Sequence, residues 1–384
     1  MTEYLNFLDT VLRLDVDEDA QLPFAGVRRF FRHLLAGEPA AEPAFRIGVR
    51  AFRPDTDVPP AVWDCRQTVI RRSTAAAFSF DAHVSDAGSR RLYVNRATYL
   101  DTPRDARSDP RFELRVTGDS TIQVIDFLRD LVIRNQESLG TVVLHASGAT
   151  DGRSALVVAG PKGAGKTTTL LSVLRSPRWS YFTGDKLFCR PQPGGGVEVH
   201  PWRDYPYIGV GTILADPRLA EFVREQVDRR LDQRALTHKL LLDPDVFEEW
   251  LGSPFSATPR GLAAILLPRV RAGEPLRSWA VDDPNERWSQ LNTIIDRQAD
   301  TTFFTWQSYL VPDYAAFFAS LTALNGHLDG VPLIRLEGTL DIDPDALLDR
   351  HRPAAAAAAA AATSAHSQPR PPGQPRPPGQ HSVE

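Results

Sequence analysis

Residues 154–171, Ser-Ala-Leu-Val-Val-Ala-Gly-Pro-Lys-Gly-Ala-Gly-Lys-Thr-Thr-Thr-Leu-Leu, constrain the fold of this chain more than any other segment. The apolar run Ala155 to Ala159 predicts a buried strand, and the spacing of Leu170, Leu171 and Leu174 predicts a helix. Between them stands Gly160-x-x-x-x-Gly165-Lys166-Thr167, and a strand–glycine loop–helix context is what gives such a pattern physical meaning. Glycines let the backbone curl so that several N–H groups point inward, and the helix start adds partial positive charge. The expectation is a cradle for a nucleoside triphosphate built from Gly160, Pro161, Lys162, Gly163, Ala164, Gly165, Lys166, Thr167 and Thr168. In that cradle Lys166 reaches the β- and γ-phosphates and the Thr167 hydroxyl holds Mg²⁺. The plain alternative is an ordinary glycine turn between a strand and a helix.

Lysine usage supports the cradle. Of 44 basic residues only Lys162, Lys166, Lys186 and Lys239 are lysine; the other 40 are arginine. A compact ammonium does work that a planar guanidinium cannot, so a lysine kept in an arginine-biased chain marks a site worth inspecting. Two of the four lie in the glycine loop and Lys186 follows Asp185. Lys239 reads as part of a solvated helix face, with a place in the site as the rival reading.

A net charge of −4 gives no reason to expect nucleic acid or an anionic membrane as partner. Cys65 and Cys189 are too few for a disulfide framework, which suits a reducing cytoplasm, and neither has metal-ligand spacing to histidine. No basic segment precedes an apolar stretch at the N-terminus and no apolar run reaches membrane-spanning length, so neither export nor membrane insertion is expected.

Along the chain, two helices are expected within the first ~40 residues, one carrying Tyr4, Leu5, Leu8, Val11 and Leu12 and the next Phe24, Val27, Phe30, Phe31, Leu34 and Leu35. Strand-like pieces follow at 45–52, 66–72, 77–84, 91–95 and 111–116, with 77–95 as a hairpin turning at 86–89. A helix over 121–137, strands at 141–146, 179–182 and 263–267, and a late helix over 312–324 complete the pattern. Strands alternating with helices imply an α/β fold. The expected organisation is a small N-terminal α+β domain over 1–115 and a nucleotide domain over 116–350. An Ala/Pro-rich tail over 351–384 is expected to be disordered, with nine alanines and Pro-Arg-Pro-Pro-Gly-Gln written twice.

Among glycine-loop classes, the chain lacks the Asn-Lys-x-Asp of guanine-specific proteins and the Leu-Ser-Gly-Gly-Gln of transporter motors. Thr212-Ile-Leu-Ala-Asp216 reads either as a metal-holding strand ending in Asp or as a strand end entering a helix. His145 precedes the loop strand in Leu144-His145-Ala146-Ser147, and Asp185 follows the next strand in Gly184-Asp185-Lys186. If these strands are parallel, both residues reach the sheet edge where ligands bind. Each has a plain alternative, a satisfied core histidine for His145 and a turn or ion-pair role for Asp185. Trp202, Tyr205 and Tyr207 read as packing residues or as an adenine platform.

The order and spacing of Leu144–Ser147, Gly160–Thr167 and Gly184–Lys186 resemble the HPr serine kinase/phosphorylase family, whose core is similar to that of phosphoenolpyruvate carboxykinases. The resemblance covers roughly residues 120–215. It implies an α/β glycine-loop kinase core using ATP and Mg²⁺, with transfer to a hydroxyl of a protein, peptide or small molecule. It implies Asp185 as general base and, with Thr167, metal ligand, His145 as an active-site polar residue, and a homo-oligomer, since the family commonly forms rings. The chain departs from the family where two adjacent aspartates are usual, since Gly184 precedes Asp185. The family's glutamate motif has no clear counterpart; the stretch 203–211 offers Asp204 instead, and Asp204 and Lys239 are carried as secondary candidates. The rival expectation is a catalytically inactive or slow nucleotide-binding regulatory or scaffold protein.

Overall fold

The computed structural model describes residues 1–71, 79–193, 195–271, 273–297, 306–311, 313–339 and 341–351. Its chain is mixed α/β, with two large sheets joined by a helix.

The N-terminal sheet holds β1 (Thr2–Phe7), β2 (Thr10–Val16), β3 (Leu35–Ala36), β4 (Phe45–Ala51), β5 (Gln67–Arg71), β6 (Phe80–Ala87), β7 (Arg90–Val94), β8 (Thr98–Pro103) and β9 (Arg111–Val116). Their spatial order is β3-β1-β2-β4-β9-β8-β7-β6-β5, with β2, β4 and β9 parallel to their neighbours in that trio and the rest antiparallel. The first expected helix is not formed. β1 and β2 pair from Phe7↔Thr10 outward around a turn in which Leu8 has φ 52°. The apolar residues at 4–12 fit a helical stripe, but Leu12, Leu14 and Val16 extend an alternation that the sheet buries against β4. The second expected helix is present as Ala25–Phe31, with Val27, Phe30 and Phe31 buried. The 86–89 hairpin forms, pairing Ala87↔Arg90 across Gly88 at φ 61°. Strand β8 has no counterpart in the sequence reading.

The helix Thr121–Ser138 packs its apolar face (Val124, Leu128, Leu131, Val132) into the core of this sheet, and the same core runs on through Val143, Phe188 and Trp202 of the second half. The second sheet holds β10 (Val142–Thr150), β11 (Ser154–Ala159), β12 (Ser180–Thr183), β13 (Lys186–Pro191), β14 (Val197–Pro201), β17 (Arg260–Val270), β18 (Arg277–Ala280) and β19 (Leu333–Gly338). A separate two-stranded ribbon joins β15 (Tyr207–Gly209) to β16 (Lys239–Leu241). The order of the large sheet is β11-β10-β13-β14-β17-β19-β18, and it bends back on itself because β11 also pairs with β17. The late helix runs over Tyr314–Leu328, started by the Asp313 carboxylate accepting from Ala316 N–H. The last described helix is Pro344–Arg350, and the expected tail lies outside the described residues from 352 onward.

Candidate functional site

The loop of residues 160–165 leaves β11 and enters the helix Lys166–Val173, so the strand–loop–helix order read from the sequence is present. Gly160, Gly163 and Gly165 have φ of 144°, 86° and 98°, which a side chain would resist. Gly165 is further fixed by its neighbour: a Cβ there would stand 2.0 Å from Val270 Cγ2. The end of β17 thus braces the loop, and Val270 N–H donates to the Ala164 carbonyl at 3.2 Å. Lys166 Nζ donates to the Gly160 carbonyl at 2.8 Å, spanning the loop. Thr169 Oγ1 donates to the Gly165 carbonyl, and the Thr168 hydroxyl lies 3.2 Å from that of Thr212. Pro161, Lys162 and Gly163 are exposed, whereas Ala164 to Thr168 are half-buried, so the rim faces solvent and the base is sheltered.

His145 and Asp185 do meet, by a geometry different from the parallel edge expected. β10 runs antiparallel to β11, β12 and β13. Gly148 to Thr150 pair with β12, and Val142 to His145 pair with β13, so β12 and β13 lie end to end along one side of β10. Gly184 and Asp185 form the break between them. The break is tied down by Ala146 N–H donating to the Asp185 carbonyl at 3.0 Å and by Ser147 Oγ donating to the Gly184 carbonyl at 2.6 Å. An irregularity of this kind re-aims a side chain within a ladder. It brings the Asp185 carboxylate to 3.3 Å from His145 Nε2 and 3.8 Å from Lys186 Nζ.

Lys162 and Lys166 belong to the loop, and the charges of Lys239 and Lys186 act on them from neighbouring strands. Lys239 lies on β16, not on a helix, with its ammonium 4.9 Å from the centroid of the Tyr207 ring. Desolvation lowers the Lys239 pKa, and the nearby Lys162 charge lowers it further against the pull of Asp185. Lys166 is lowered in the same way, by desolvation first, with Lys239 and Lys186 repelling it and Asp185 opposing them. Partial burial alone would raise Asp185, but Lys186, His145, Arg129 and Lys166 outweigh it and hold the carboxyl at about 2. His145 keeps one ring edge open to solvent; desolvation lowers its pKa more than Asp185 raises it, and Lys186 and Lys166 add to the fall. At neutral pH the pair is therefore a neutral imidazole beside an ionised carboxylate.

The residue behind Asp185 is equally constrained. A Cβ on Gly184 would stand 2.8 Å from the Tyr181 hydroxyl and 2.9 Å from each carboxylate oxygen of Asp204. Tyr181 Oη donates to Asp204 Oδ1 at 3.2 Å. Burial and the Asp185 charge push the Asp204 carboxyl up to about 7.

Several side chains at the site carry no sequence signal. Lys186 Nζ bonds the Asp296 carboxylate, which arrives from far along the chain beside β10, with Asp296 N–H on the Val143 carbonyl at 2.8 Å. Arg71 at the end of β5 and Arg129 of the helix Thr121–Ser138 both bond Asp126. Burial opposes the Arg129 charge, and Asp126 and Asp185 outweigh it and raise its pKa. As two of forty arginines they could not be singled out by composition. The remaining candidates fall outside the site chemistry. Asp216 caps the helix Pro217–Gln226, accepting from Arg218 and Leu219 N–H, and the expected strand before it is instead the short helix Val210–Leu214. Trp202 is buried against Phe7, Phe31 and Phe188, and Tyr205 stacks on Phe30.

No protein-family model matches the chain, and no curated protein matches it either.

Proposed function

We propose that the protein is an ATP- and Mg²⁺-dependent kinase with an HPr-kinase-like glycine-loop core, transferring the γ-phosphoryl group to a hydroxyl of a protein, peptide or small molecule. The observation that carries this reading is the glycine loop set between β11 and a helix, with Lys166 spanning it and Asp185 flanked by Lys186 and His145. A lysine set across a glycine loop at a helix start fits a polyphosphate. Bound ATP·Mg²⁺ supplies the electrophilic phosphorus and spreads the developing negative charge.

The chain's own residues then divide the work. Lys162, Lys166 and Lys239 hold phosphate oxygens, with Lys166 exchanging the Gly160 carbonyl for an anionic partner. The backbone of 162–167 donates N–H groups, and the Thr167 hydroxyl with Asp185 would hold the metal. Asp185 also orients the acceptor hydroxyl and accepts its proton, with His145 Nε2 3.3 Å from the carboxylate helping to position it. A carboxyl held at about 2 by cations is a weak base. Of the groups that depress it, Lys166 is the one an incoming triphosphate would neutralise, so ligand binding relieves part of that depression. The two cysteines are free, which suits a reducing cytoplasmic compartment.

Calorimetric titration with ATP and Mg²⁺, paired with ADP release, tests this reading. Expected are saturable binding lost in Lys166→Ala, and turnover lost in Asp185→Asn with binding retained. Equal binding by Lys166→Ala and wild type overturns the assignment of the loop.

A further inference from the structure

We propose that Asp296 is a positioning residue of the site: by taking the Lys186 ammonium it holds that charge off the Asp185 carboxylate, which is left open to the metal and the acceptor hydroxyl. The proposal rests on the kinase reading and adds to it a residue 110 positions from Lys186 in sequence.

Lys186 has little freedom except along its side chain. Its backbone pairs with His145 across β10 and β13, and its carbonyl accepts from Thr183 Oγ1 at 2.9 Å and from Trp202 N–H at 3.3 Å. The ammonium lies between two carboxylates. It bonds Asp296, and it stands 3.8 Å from Asp185, beyond hydrogen-bond range. The side chain is only 10% exposed, so water does not replace a carboxylate that is removed. Buried charges are kept paired, and an ammonium deprived of Asp296 would close on the other carboxylate beside it, Asp185.

Asp296 is fixed where it can do this. The helix Pro284–Ile294 starts at Asp283, which accepts from Glu286 N–H, and buries Leu291 and Ile294 in the same core as Val142 and Leu144 of β10. Just past its end Ile295 bridges to Leu144, and Asp296 N–H donates to the Val143 carbonyl at 2.8 Å. The carboxylate is thus delivered from backbone tied to β10 two residues from His145. The same geometry accounts for a lysine at this position in an arginine-rich chain. A compact ammonium can rest on one carboxylate and stand clear of the next, whereas a planar guanidinium presents a wider fork of donors.

The test compares full-length wild type, Asp296→Ala, Asp296→Asn, and Asp296→Ala combined with Lys186→Met. Crystal structures give the Lys186–Asp185 distance, and calorimetric titration of ADP with and without Mg²⁺ gives the metal dependence of binding. Expected in Asp296→Ala is closure of that contact from 3.8 Å to about 2.8 Å. Also expected is about a tenfold loss of the Mg²⁺-dependent tightening, with metal-free affinity within about twofold of wild type. Asp296→Asn, isosteric with the native side chain, is expected to move the same way by less, and keeps the test open should the truncation fail to fold; thermal melts check each variant. Adding Lys186→Met removes the charge that covers Asp185 and is expected to restore most of the Mg²⁺ dependence, which a merely structural loss would not do. A Lys186 ammonium that stays at its wild-type distance from Asp185 in both Asp296 variants overturns the inference. Mg²⁺-dependent affinity equal to wild type, or no recovery in the double variant, overturns it too while leaving the kinase reading intact. A wild type that binds no nucleotide overturns the kinase reading, and the crystallographic distance still decides whether Asp296 holds the ammonium off Asp185.

Discussion

Replacing Arg203 by methionine should destabilise the protein by about 3–5 kcal/mol, the range for orphaning one partner of a buried ion pair. The Arg203 side chain is only 2% exposed; it donates through Nε to Glu248 at 2.7 Å, through Nη1 to the Phe30 carbonyl at 3.2 Å, and through Nη2 to Asp245. Its three partners respond differently to its loss. Asp245 keeps Arg32 at 2.6 Å and Arg29 at 3.3 Å and is partly solvated, so its share is about 1 kcal/mol or less. The Phe30 carbonyl loses one hydrogen bond, a cost of about 1 kcal/mol. Glu248, 5% exposed, is left with Phe255 N–H at 3.2 Å as its remaining donor, and this stranded carboxylate dominates the cost. Methionine restores much of the volume and some contact with the Phe30 ring. Urea unfolding at neutral pH gives the difference directly, provided the slope with denaturant is unchanged. Adding Glu248→Leu to Arg203→Met removes the stranded charge and should recover stability to within about 1–2 kcal/mol of wild type. A loss under 1 kcal/mol in the single variant, or no recovery in the double, would refute this reasoning.

Further outcomes follow from the same geometry. Gly165→Ala meets both a φ of 98° and the Val270 methyl at 2.0 Å, so it should cost about 2–4 kcal/mol in urea unfolding and abolish nucleotide binding measured by calorimetry. Lys239→Ala should weaken ATP binding about five- to tenfold by loss of one charged phosphate contact, with AMP affinity unchanged. Asp204 is held at about 7 in the folded chain, above its unfolded value, so the folded state binds the extra proton. Stability is then greatest below about pH 4 for this group and falls as pH rises from about 4 to 7, by a ceiling of roughly 4 kcal/mol. Asp185, held at about 2, acts oppositely: its contribution is present above about pH 4 and is lost as pH falls toward 2. Thermal melts of Asp204→Asn should therefore be flatter than wild type between pH 4 and 7; an unchanged slope would contradict the assignment.

The parts legible in the sequence are those set by local chemistry. The glycine loop declared itself because left-handed backbone, an apolar strand and a helix start each leave residue-level marks over 154–171. His145 and Asp185 were legible by chain order, but not the way they meet. The antiparallel course of β10 and the break at Gly184–Asp185 are matters of register, which side-chain type does not record. The first hairpin is hidden because Leu5, Leu8 and Leu12 fit a helical stripe, while Leu5 and Phe7, then Leu12, Leu14 and Val16, also fit a strand alternation, and only the neighbour β4 decides between them. Lys239 was misassigned for a similar reason. A three-residue ribbon strand has too little pattern to announce itself, yet it carries the fourth lysine into the site. Asp296, Arg129 and Arg71 arrive by long-range packing and resemble dozens of other charged residues. Gly184 shows the same limit: the sequence gives no hint that the Tyr181 hydroxyl and the Asp204 carboxylate stand 2.8 Å and 2.9 Å from where its Cβ would be.

The most direct test of the account is phosphate transfer itself. Purified full-length protein would be incubated with Mg²⁺ and ATP, alone and with candidate peptide and protein acceptors, and every species weighed by mass spectrometry. The reading predicts phosphate on an acceptor hydroxyl with wild type, and none with Lys166→Ala or Asp185→Asn. Transfer that persists in both variants, or nucleotide binding with no transfer to any acceptor tested, would contradict it.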